Sequence, residues 1–383
     1  MSWKKHVLVV LAVVLALIVL VSGGCGAAKG VRPARTEGEK EISYTVRKIW
    51  DEGTHAAFTS LIKFKGRYYC CFREGDSHIF DEYGKAEGRI RVLGSKDGNS
   101  WESVLDTGLP GIDCRDPKFC ITPAGRLMVS FGGSTYRSRK LIGQQGYVMF
   151  SDDGRTFSEP EKICLEPKTG NDRDWLWRVT WFGDDGYGIC YGAGTGKGSG
   201  STGDNNAGKA PEVKTLALYK TRDGINYTKI KDFDISGFPN EATLRFTSDG
   251  TMLMMLRRDA DDRKGFWGTS RPPYTEWDFT PMPLQIGGPD FLVLEKAGAG
   301  SPVILAGTRS YAIPDHCKTI LLRGTPEGDF QEVFTLPSDG DTSYPGMLVD
   351  DGQLWVSYYS TAGTRGKAAI FLARIPLEAL SEF

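Results

Sequence analysis

Six times along this chain of 383 residues an apolar run, a turn and a second apolar run follow one another. The pairs read AFTSLIKFKGRYYCCFREGD, RDPKFCITPAGRLMVSFGG, WRVTWFGDDGYGICYG, NEATLRFTSDGTMLMMLRRD, GGPDFLVLEKAGAGSPVILAGTRSY and SYPGMLVDDGQLWVSYYS. β-Branched and aromatic residues fill the runs, Gly, Asp and Asn break them, and amphipathic helical periodicity is nearly absent. Further strands and tight turns follow most pairs, giving units of about 60 residues, the length of a four-stranded propeller blade. The last unit has only a third strand, AAIFLARIPL, so ISYTVRKIW at residues 42–50 is expected to complete it from the other end of the chain. Closing the ring in that way removes exposed sheet edges. The sequence therefore predicts an all-β fold, a six-bladed β-propeller of four-stranded antiparallel blades spanning residues 42–383.

In such a blade the start of the first strand and the end of the second lie on one face of the ring. The turns SKDGNSW (95–101), SDDGRTF (151–157) and TRDGINY (221–227) join third and fourth strands and fall on the other face, with weaker echoes in TSRPPYTEW and GTPEGDF. Their Ser or Thr and Asp side chains satisfy turn amides, Gly takes the positive φ, and the aromatic packs between sheets, so they mark the fold rather than the chemistry. The opposite face collects the chemical groups. Blade one sends His55, Arg73, Glu74, Asp76 and His78 there, and blade two Arg115 and Asp116. Blade three adds Trp175 and Arg178, blade four Glu241 with Arg257 and Arg258, blade five Arg309 and Tyr311, and blade six Asp341 and Tyr344.

Any propeller rim is polar where it is wet, and some of these residues are expected only to cap strands. Arginines from at least five blades are more informative, because guanidiniums converging on a small funnel repel unless carboxylates or an anionic ligand compensate them. A ligand bearing carboxylate or sulfate is the economical inference. His55, His78 and His316 map to the same face but come from separate loops, so acid/base or hydrogen-bonding roles are preferred and no metal site is expected.

The N-terminus reads differently. Lys4 and Lys5 precede an apolar stretch from Val7 to Val21 and then Ser22-Gly23-Gly24-Cys25. The stretch is short of the roughly 20 residues that span a bilayer, and its layout is that of an export signal. Small residues ending at a cysteine resemble a bacterial lipoprotein cleavage site, so residues 1–25 are read as the signal, Cys25 as the lipidated residue and 26–41 as a polar tether. A protein exported to the bacterial cell envelope, lipid-anchored or secreted, is the expectation. The seven remaining cysteines include no CxxC pair and are expected to be small apolar residues within strands. A formal net charge of −1 gives no nucleic-acid footprint. GAGTGKGSGSTGDNNAG at 192–208 has phosphate-loop composition, but with the wrong spacing and no helix after it, and is read as a loop of blade three.

Together these features resemble the sialidase (neuraminidase) superfamily of six-bladed propellers with Asp-box (BNR) repeats, over nearly all of residues 42–377. The resemblance implies that Tyr344, opening the last blade, is the nucleophile, and that Glu241 is the base that activates it. It implies that Arg257 or Arg258, with Arg309, belongs to a carboxylate-binding arginine triad. It also implies that Asp81 in the blade-one loop is the acid/base, with Asp76 the alternative. One departure stands out. The Arg-Ile-Pro signature of the first blade is missing, and HAAFTSLIKF places Ala57, Phe58 and Thr59 there. A clamp on the sialic acid carboxylate is then incomplete unless Arg73, Arg115 or Arg178 substitutes.

A phenol with pKa near 10 needs a base before it can attack, and a tyrosine nucleophile is a recognised exception to the two-carboxylate pattern of glycosidases. The expectation is an exo-acting glycoside hydrolase with a sialidase-like pocket, cleaving a terminal anionic sugar. His55, His78, Asp116, Trp175 and Tyr311 are further substrate-binding candidates. A polysaccharide lyase on uronic-acid glycans and a non-catalytic glycan-binding propeller are the competing readings. No cofactor is expected and a structural calcium is left open. The partner is a glycan, membrane contact is through the lipid anchor only, and the chain is expected to be a monomer.

Overall fold

A computed structural model describes residues 43–169, 173–193, 214–295, 300–313 and 315–380. The segment read as an export signal, Cys25, the stretch read as a tether and most of the 192–208 segment lie outside the described residues. Those described form six antiparallel sheets arranged as blades. Blade one is His55–Phe64, Arg67–Gly75, Arg89–Ser95 and Glu102–Thr107. Blade two is Asp113–Ile121, Leu127–Arg137, Lys140–Ser151 and the short Glu161–Lys162. Blade three runs Trp175–Phe182, Asp185–Ala193, Lys214–Thr221 and Asn226–Phe233. It carries a fifth strand, Cys164–Glu166, which pairs parallel with its outer edge as the chain leaves blade two. Blades four and five are each four-stranded, beginning at Pro239 and Asp290. Blade six takes Thr342–Asp350, Gln353–Ser360 and Ala369–Pro376, and Thr45–Trp50 pairs antiparallel with the last of these. The ring closes as the sequence predicts.

The core lies in layers between blades. Phe64, Tyr69 and Val92 of blade one meet Cys114, Phe119 and Val129 of blade two, and the other blade pairs repeat the arrangement. The far-face turns perform the expected role. Ser95 Oγ accepts from the Gly98 amide at 2.7 Å, and Asp97 Oδ1 from the Asn99 and Ser100 amides at 2.8 and 3.0 Å. Ser151 and Asp153, and Thr221 and Asp223, do the same in blades two and three. These amide donors hold the exposed Asp97 and Asp153 carboxyls down at about 2. Of the cysteines, four are buried, while Cys164 is exposed and Cys120 and Cys317 are half-buried.

The feature that shapes the channel is a β-bulge repeated in every inner strand. Two residues oppose one at Phe58-Thr59, Asp116-Pro117, Trp177-Arg178, Asn240-Glu241 and Tyr344-Pro345. In blade five Gly287 accepts from the Arg309 amide while Asp290 pairs with Gly307, which leaves Gly288-Pro289 opposite Thr308. A bulge re-aims side chains, and here it does so six times at one level of the channel. Four of these positions have positive φ: Phe58 (67°), Asp116 (52°), Gly288 (59°) and Tyr344 (49°). For non-glycine residues that conformation costs on the order of 1–3 kcal/mol each and persists only where surrounding packing imposes it.

Candidate active site

In ring order the bulges bring Phe58, Asp116, Trp177, Glu241, Gly288 and Tyr344 to the channel floor. Tyr344 and Glu241 flank the glycine. A Cβ on Gly288 would lie 2.4 Å from Tyr344 Cγ, so the phenol ring rests where only glycine leaves room. The Tyr344 hydroxyl donates to Glu241 Oε1. Arg257 Nη1 donates to Glu241 Oε2 at 3.0 Å and to Tyr344 Oη at 3.1 Å. The Gly288 amide adds a 2.7 Å bond to Glu241 Oε2, and Asp259 holds Arg257 Nε at 2.8 Å. Burial first, and the charge of Glu241 second, push the Tyr344 phenol well above 10, against the pull of Arg257 and Arg309. The resting hydroxyl is therefore protonated, and its proton has one acceptor waiting.

Across the channel stand Asp116 and Lys118. Asp116 is 8% exposed, and its Oδ1 is buried without a hydrogen-bond partner. Burial pushes its carboxyl up to about 6, although Lys118 and Arg115 oppose the shift. Lys118 is buried too, and among the described residues it reaches the carbonyls of Pro117 at 3.3 Å and Thr59 at 3.5 Å. Its ammonium lies 4.8 Å from the Trp177 ring centroid and 5.9 Å from that of Tyr344. Burial pulls it down to about 8. Two ionisable groups displaced toward neutrality beside a buried phenol–carboxylate pair are a recognised signature of functional sites. Phe58 and Trp177 wall the space, their centroids 4.9 and 5.8 Å from that of Tyr344. Tyr191 is near enough to sense the charges of Glu241, Asp116 and Arg257.

At the mouth, Asp341 Oδ2 meets His55 Nε2 at 3.0 Å and His78 Nδ1 at 2.7 Å. Its other oxygen accepts from Tyr359 at 2.9 Å. Burial raises the Asp341 carboxyl, but the two imidazoles outweigh it and hold it well below the usual carboxylate range. Arg309 donates to Tyr359 Oη at 2.6 Å and to the Thr342 carbonyl at 2.7 Å, 3.6 Å from Asp341. Arg309, Tyr311, Asp315 and Asp341 line a cavity of about 470 Å³. Among the described residues, His55, His78 and Asp341 form the group with donors close enough together to hold a metal, all within 4.8 Å. Their contacts are hydrogen-bond distances, and a guanidinium stands beside the carboxylate, so the trio fits a carboxylate-bridged imidazole pair better than a cation site.

The structure separates the arginines that the sequence grouped. Arg257 and Arg309 reach the site. Arg258 turns away onto Asp262 and the carbonyls of Lys264 and Ser236, with its guanidinium 4.0 Å from the Phe266 ring centroid. Arg178 is buried against Asp290 at 3.2 Å, which also holds Arg245 at 2.6 Å. Arg73 and Arg115 share Asp113. The converging guanidiniums are thus met largely by carboxylates of the protein itself, and an anionic ligand is not needed to balance them. Trp175 packs into the second strand of blade two, where a Cβ on Gly132 would lie 2.2 Å from its ring, and Trp177 faces Tyr344 instead. Asp81 Oδ1 accepts from the Lys85 amide at 2.7 Å and so caps its own loop, and Asp76 is exposed. His316 is exposed and pairs with Asp339 at 3.2 Å. Lys118, Trp177, Gly288 and Asp113 escaped the sequence reading. The one local signal for Lys118 was its place in RDPKF, two residues after Asp116.

No family model and no curated relative matches this chain. Solved structures do match in fold. A protein of unknown function from Dyadobacter fermentans aligns at TM-score 0.69 and 18% identity, covering 86% of this chain and 99% of that one. Trypanosoma rangeli sialidase aligns at TM-score 0.61 and 11% identity over 85% of this chain and 55% of its own. Penicillium chrysogenum α-L-arabinanase, solved with arabinobiose, aligns at 0.61 and 12% over 87% of this chain and 98% of its own. At these identities the likeness establishes the fold, a six-bladed propeller shared with sialidases and an arabinanase.

Proposed function

We propose that the protein is an exo-acting glycoside hydrolase that uses Tyr344 as its nucleophile. The observation that carries this reading is the Tyr344–Glu241–Arg257 cluster on the channel floor, in which a buried phenol donates to a carboxylate and one guanidinium bonds to both. As Tyr344 Oη bonds to the anomeric carbon, its proton passes to Glu241, and Arg257 stabilises the negative charge developing on the phenol oxygen. Phe58 and Trp177 supply apolar walls for the sugar ring, and Asp116 with Lys118 supplies polar groups for its hydroxyls.

For the sugar itself we favour a terminal residue bearing one acidic group. Among the described residues no carboxylate lies within hydrogen-bond distance of Lys118, and Arg309 opens into the mouth cavity. Sialic acid is disfavoured, since Ala57, Phe58 and Thr59 stand where the sialidase resemblance places its Arg-Ile-Pro, and none of them carries a charge. A charge-assisted bond contributes on the order of 1.5–3 kcal/mol, so its loss lowers kcat/KM on simple sialosides by roughly 10- to 150-fold. Export, with lipid attachment at Cys25, would place this activity in the cell envelope.

The test is turnover on a panel of aryl sialosides, uronides, sulfated glycosides and arabinosides, with Tyr344→Phe as control. That variant deletes one hydroxyl and is expected to lose about 10³-fold or more in kcat while keeping its fold. Full activity in Tyr344→Phe would exclude the nucleophile. A product absorbing in the near ultraviolet would mean elimination rather than hydrolysis.

A further inference from the structure

The hydrolase reading requires a proton donor for the leaving oxygen, and neither aspartate of the blade-one loop is placed for it. Asp81 is engaged by the Lys85 amide within its own turn, and Asp76 faces solvent. We propose that His78, oriented by Asp341, is the general acid and base of this site. The proposal rests on the hydrolase reading.

Three observations converge on His78. The first is how its backbone is held. Arg73 Nη1 donates to the Ser77 carbonyl at 2.7 Å and Arg115 Nη1 to the His78 carbonyl at 3.1 Å. Both guanidiniums are buried and both are bound by Asp113, which has no exposure at all. Burying two guanidiniums on one carboxylate is costly in desolvation, and its geometric result is to fix two consecutive carbonyls of a rim loop. The second is the imidazole. Nδ1 is 2.7 Å from Asp341 Oδ2, and the carboxylate is held in turn by Tyr359 and His55. A carboxylate on one ring nitrogen sets the tautomer and leaves the other nitrogen to move protons. The third is position. The His78 side chain is 41% exposed, open to a leaving group at the mouth, yet its ring meets Phe58 edge-on at 5.2 Å, and Phe58 meets Tyr344 at 4.9 Å. One aromatic ring separates it from the nucleophile.

The chemistry balances. In the first step the His78 imidazolium gives its Nε2 proton to the glycosidic oxygen, and that oxygen keeps the electron pair of the breaking bond to the anomeric carbon. Tyr344 Oη bonds to that carbon, and its proton goes to Glu241. In the second step neutral His78 takes a proton from water as the water oxygen bonds to the anomeric carbon. The bond to Tyr344 breaks, and the phenol recovers its proton from Glu241. His55 and Asp341 face His78 from blades one and six, and Arg115 faces it from blade two. Burial lowers its pKa from 6.5, Asp341 opposes that shift, and Arg115 and His55 reinforce it.

The experiment compares His78→Gln, Asp341→Asn, Asp81→Asn and Asp76→Asn on the glycoside found by the panel. Each variant is assayed with a sugar leaving group and with a 4-nitrophenyl leaving group, which needs little protonation. The wild type is expected to lose kcat/KM as pH rises through a value below 6.5, because the acid must be protonated. His78→Gln should remove that limb, cost about 100-fold or more with the sugar leaving group, and cost far less with 4-nitrophenol. Asp341→Asn should move the limb to still lower pH, a shift that a purely structural role would not cause. Asp81→Asn and Asp76→Asn should stay within about twofold of the wild type. Full activity in His78→Gln, or a loss that falls on Asp81→Asn, overturns the assignment and leaves the hydrolase reading standing. So does one zinc per purified chain whose removal by chelator abolishes activity, since the trio would then be a metal site. A wild-type protein inert on the whole panel removes the hydrolase reading itself, and the need for a proton donor with it.

Discussion

Asp113 carries more of the site than any residue that faces the channel. It accepts from Arg73 Nε at 2.8 Å, from Arg115 Nη1 at 2.9 Å and from the Gly88 amide at 2.7 Å. Replacing it with alanine leaves two guanidiniums without their carboxylate in a region from which water is excluded. Breaking a buried pair in this way costs about 3–5 kcal/mol, so Asp113→Ala should lower the denaturation midpoint by that equivalent without changing the slope. A loss below about 1 kcal/mol would mean that the arginines find other partners. Asp116 gives a second residue-scale test, with a definite sign. Its folded pKa, about 6, lies above the ordinary 3.8, so the native state keeps a proton that the unfolded chain releases. Stability must then fall as pH rises from about 4 to about 6, by up to roughly 3 kcal/mol. Lys118 is displaced the other way, down to about 8 from 10.5, so its penalty is present below 8 and is relieved as pH climbs toward 10.5. Asp116→Asn cannot titrate. Its stability relative to the wild type should therefore improve between pH 4 and pH 7, and a difference independent of pH in urea titrations would contradict the burial argument.

At the scale of elements, the six bulges decide which side chains meet. They also explain what the sequence concealed. The blades were legible because alternation in strands and Ser-x-Asp-Gly turns are local properties. The pairing of Glu241 with Arg257 and Tyr344 was legible as well, since these residues end or begin hairpins that return to one face. A bulge is different, because two residues opposing one cannot be seen without the partner strand. In blade three the bulge aims Trp177 at Tyr344 while Trp175, before it, packs on blade two. In blade four Arg257 is the one residue opposite Asn240-Glu241, so it meets Glu241 while Arg258 turns outward. Lys118 was missed for the same reason. Asp81 shows a different blind spot, since in sequence a carboxylate that caps its own loop looks like one that faces a ligand. The blade-five bulge offers the sharpest test. Gly288 has φ 59°, and its missing Cβ makes room for the Tyr344 ring. Gly288→Ala should push the phenol out of register with Glu241 and cost on the order of 10²-fold in kcat. The accompanying stability loss should be modest, about 1–3 kcal/mol, because the strain is confined to the floor. A crystal structure of the variant with the Tyr344–Glu241 bond intact would refute this account.

On the scale of the whole molecule, the site exists only if the ring is closed. Its groups come from all six blades, and blade six is completed by Thr45–Trp50, which pairs with Ala369–Pro376. That strand also ties blade six to blade one. Trp50 Nε1 donates to Glu74 Oε1 at 2.9 Å, and Glu74 is held by Thr54 Oγ1 at 2.6 Å and by Arg91. Removing it would expose the unpaired edge of a mostly buried strand, an edge that invites pairing with another chain. A truncation that begins at residue 43 should melt and turn over like the full chain. One that begins at residue 51 should melt roughly 10 °C lower or more, and it should associate through the freed edge. It should also lose activity out of proportion to its remaining fold, because Tyr344 and Asp341 both lie on the blade that has lost its closing strand. Calorimetry with light scattering on the two truncations decides the matter. If the shorter chain stays monomeric with an unchanged midpoint, the ring is held by its inter-blade core alone, and the closing strand is dispensable.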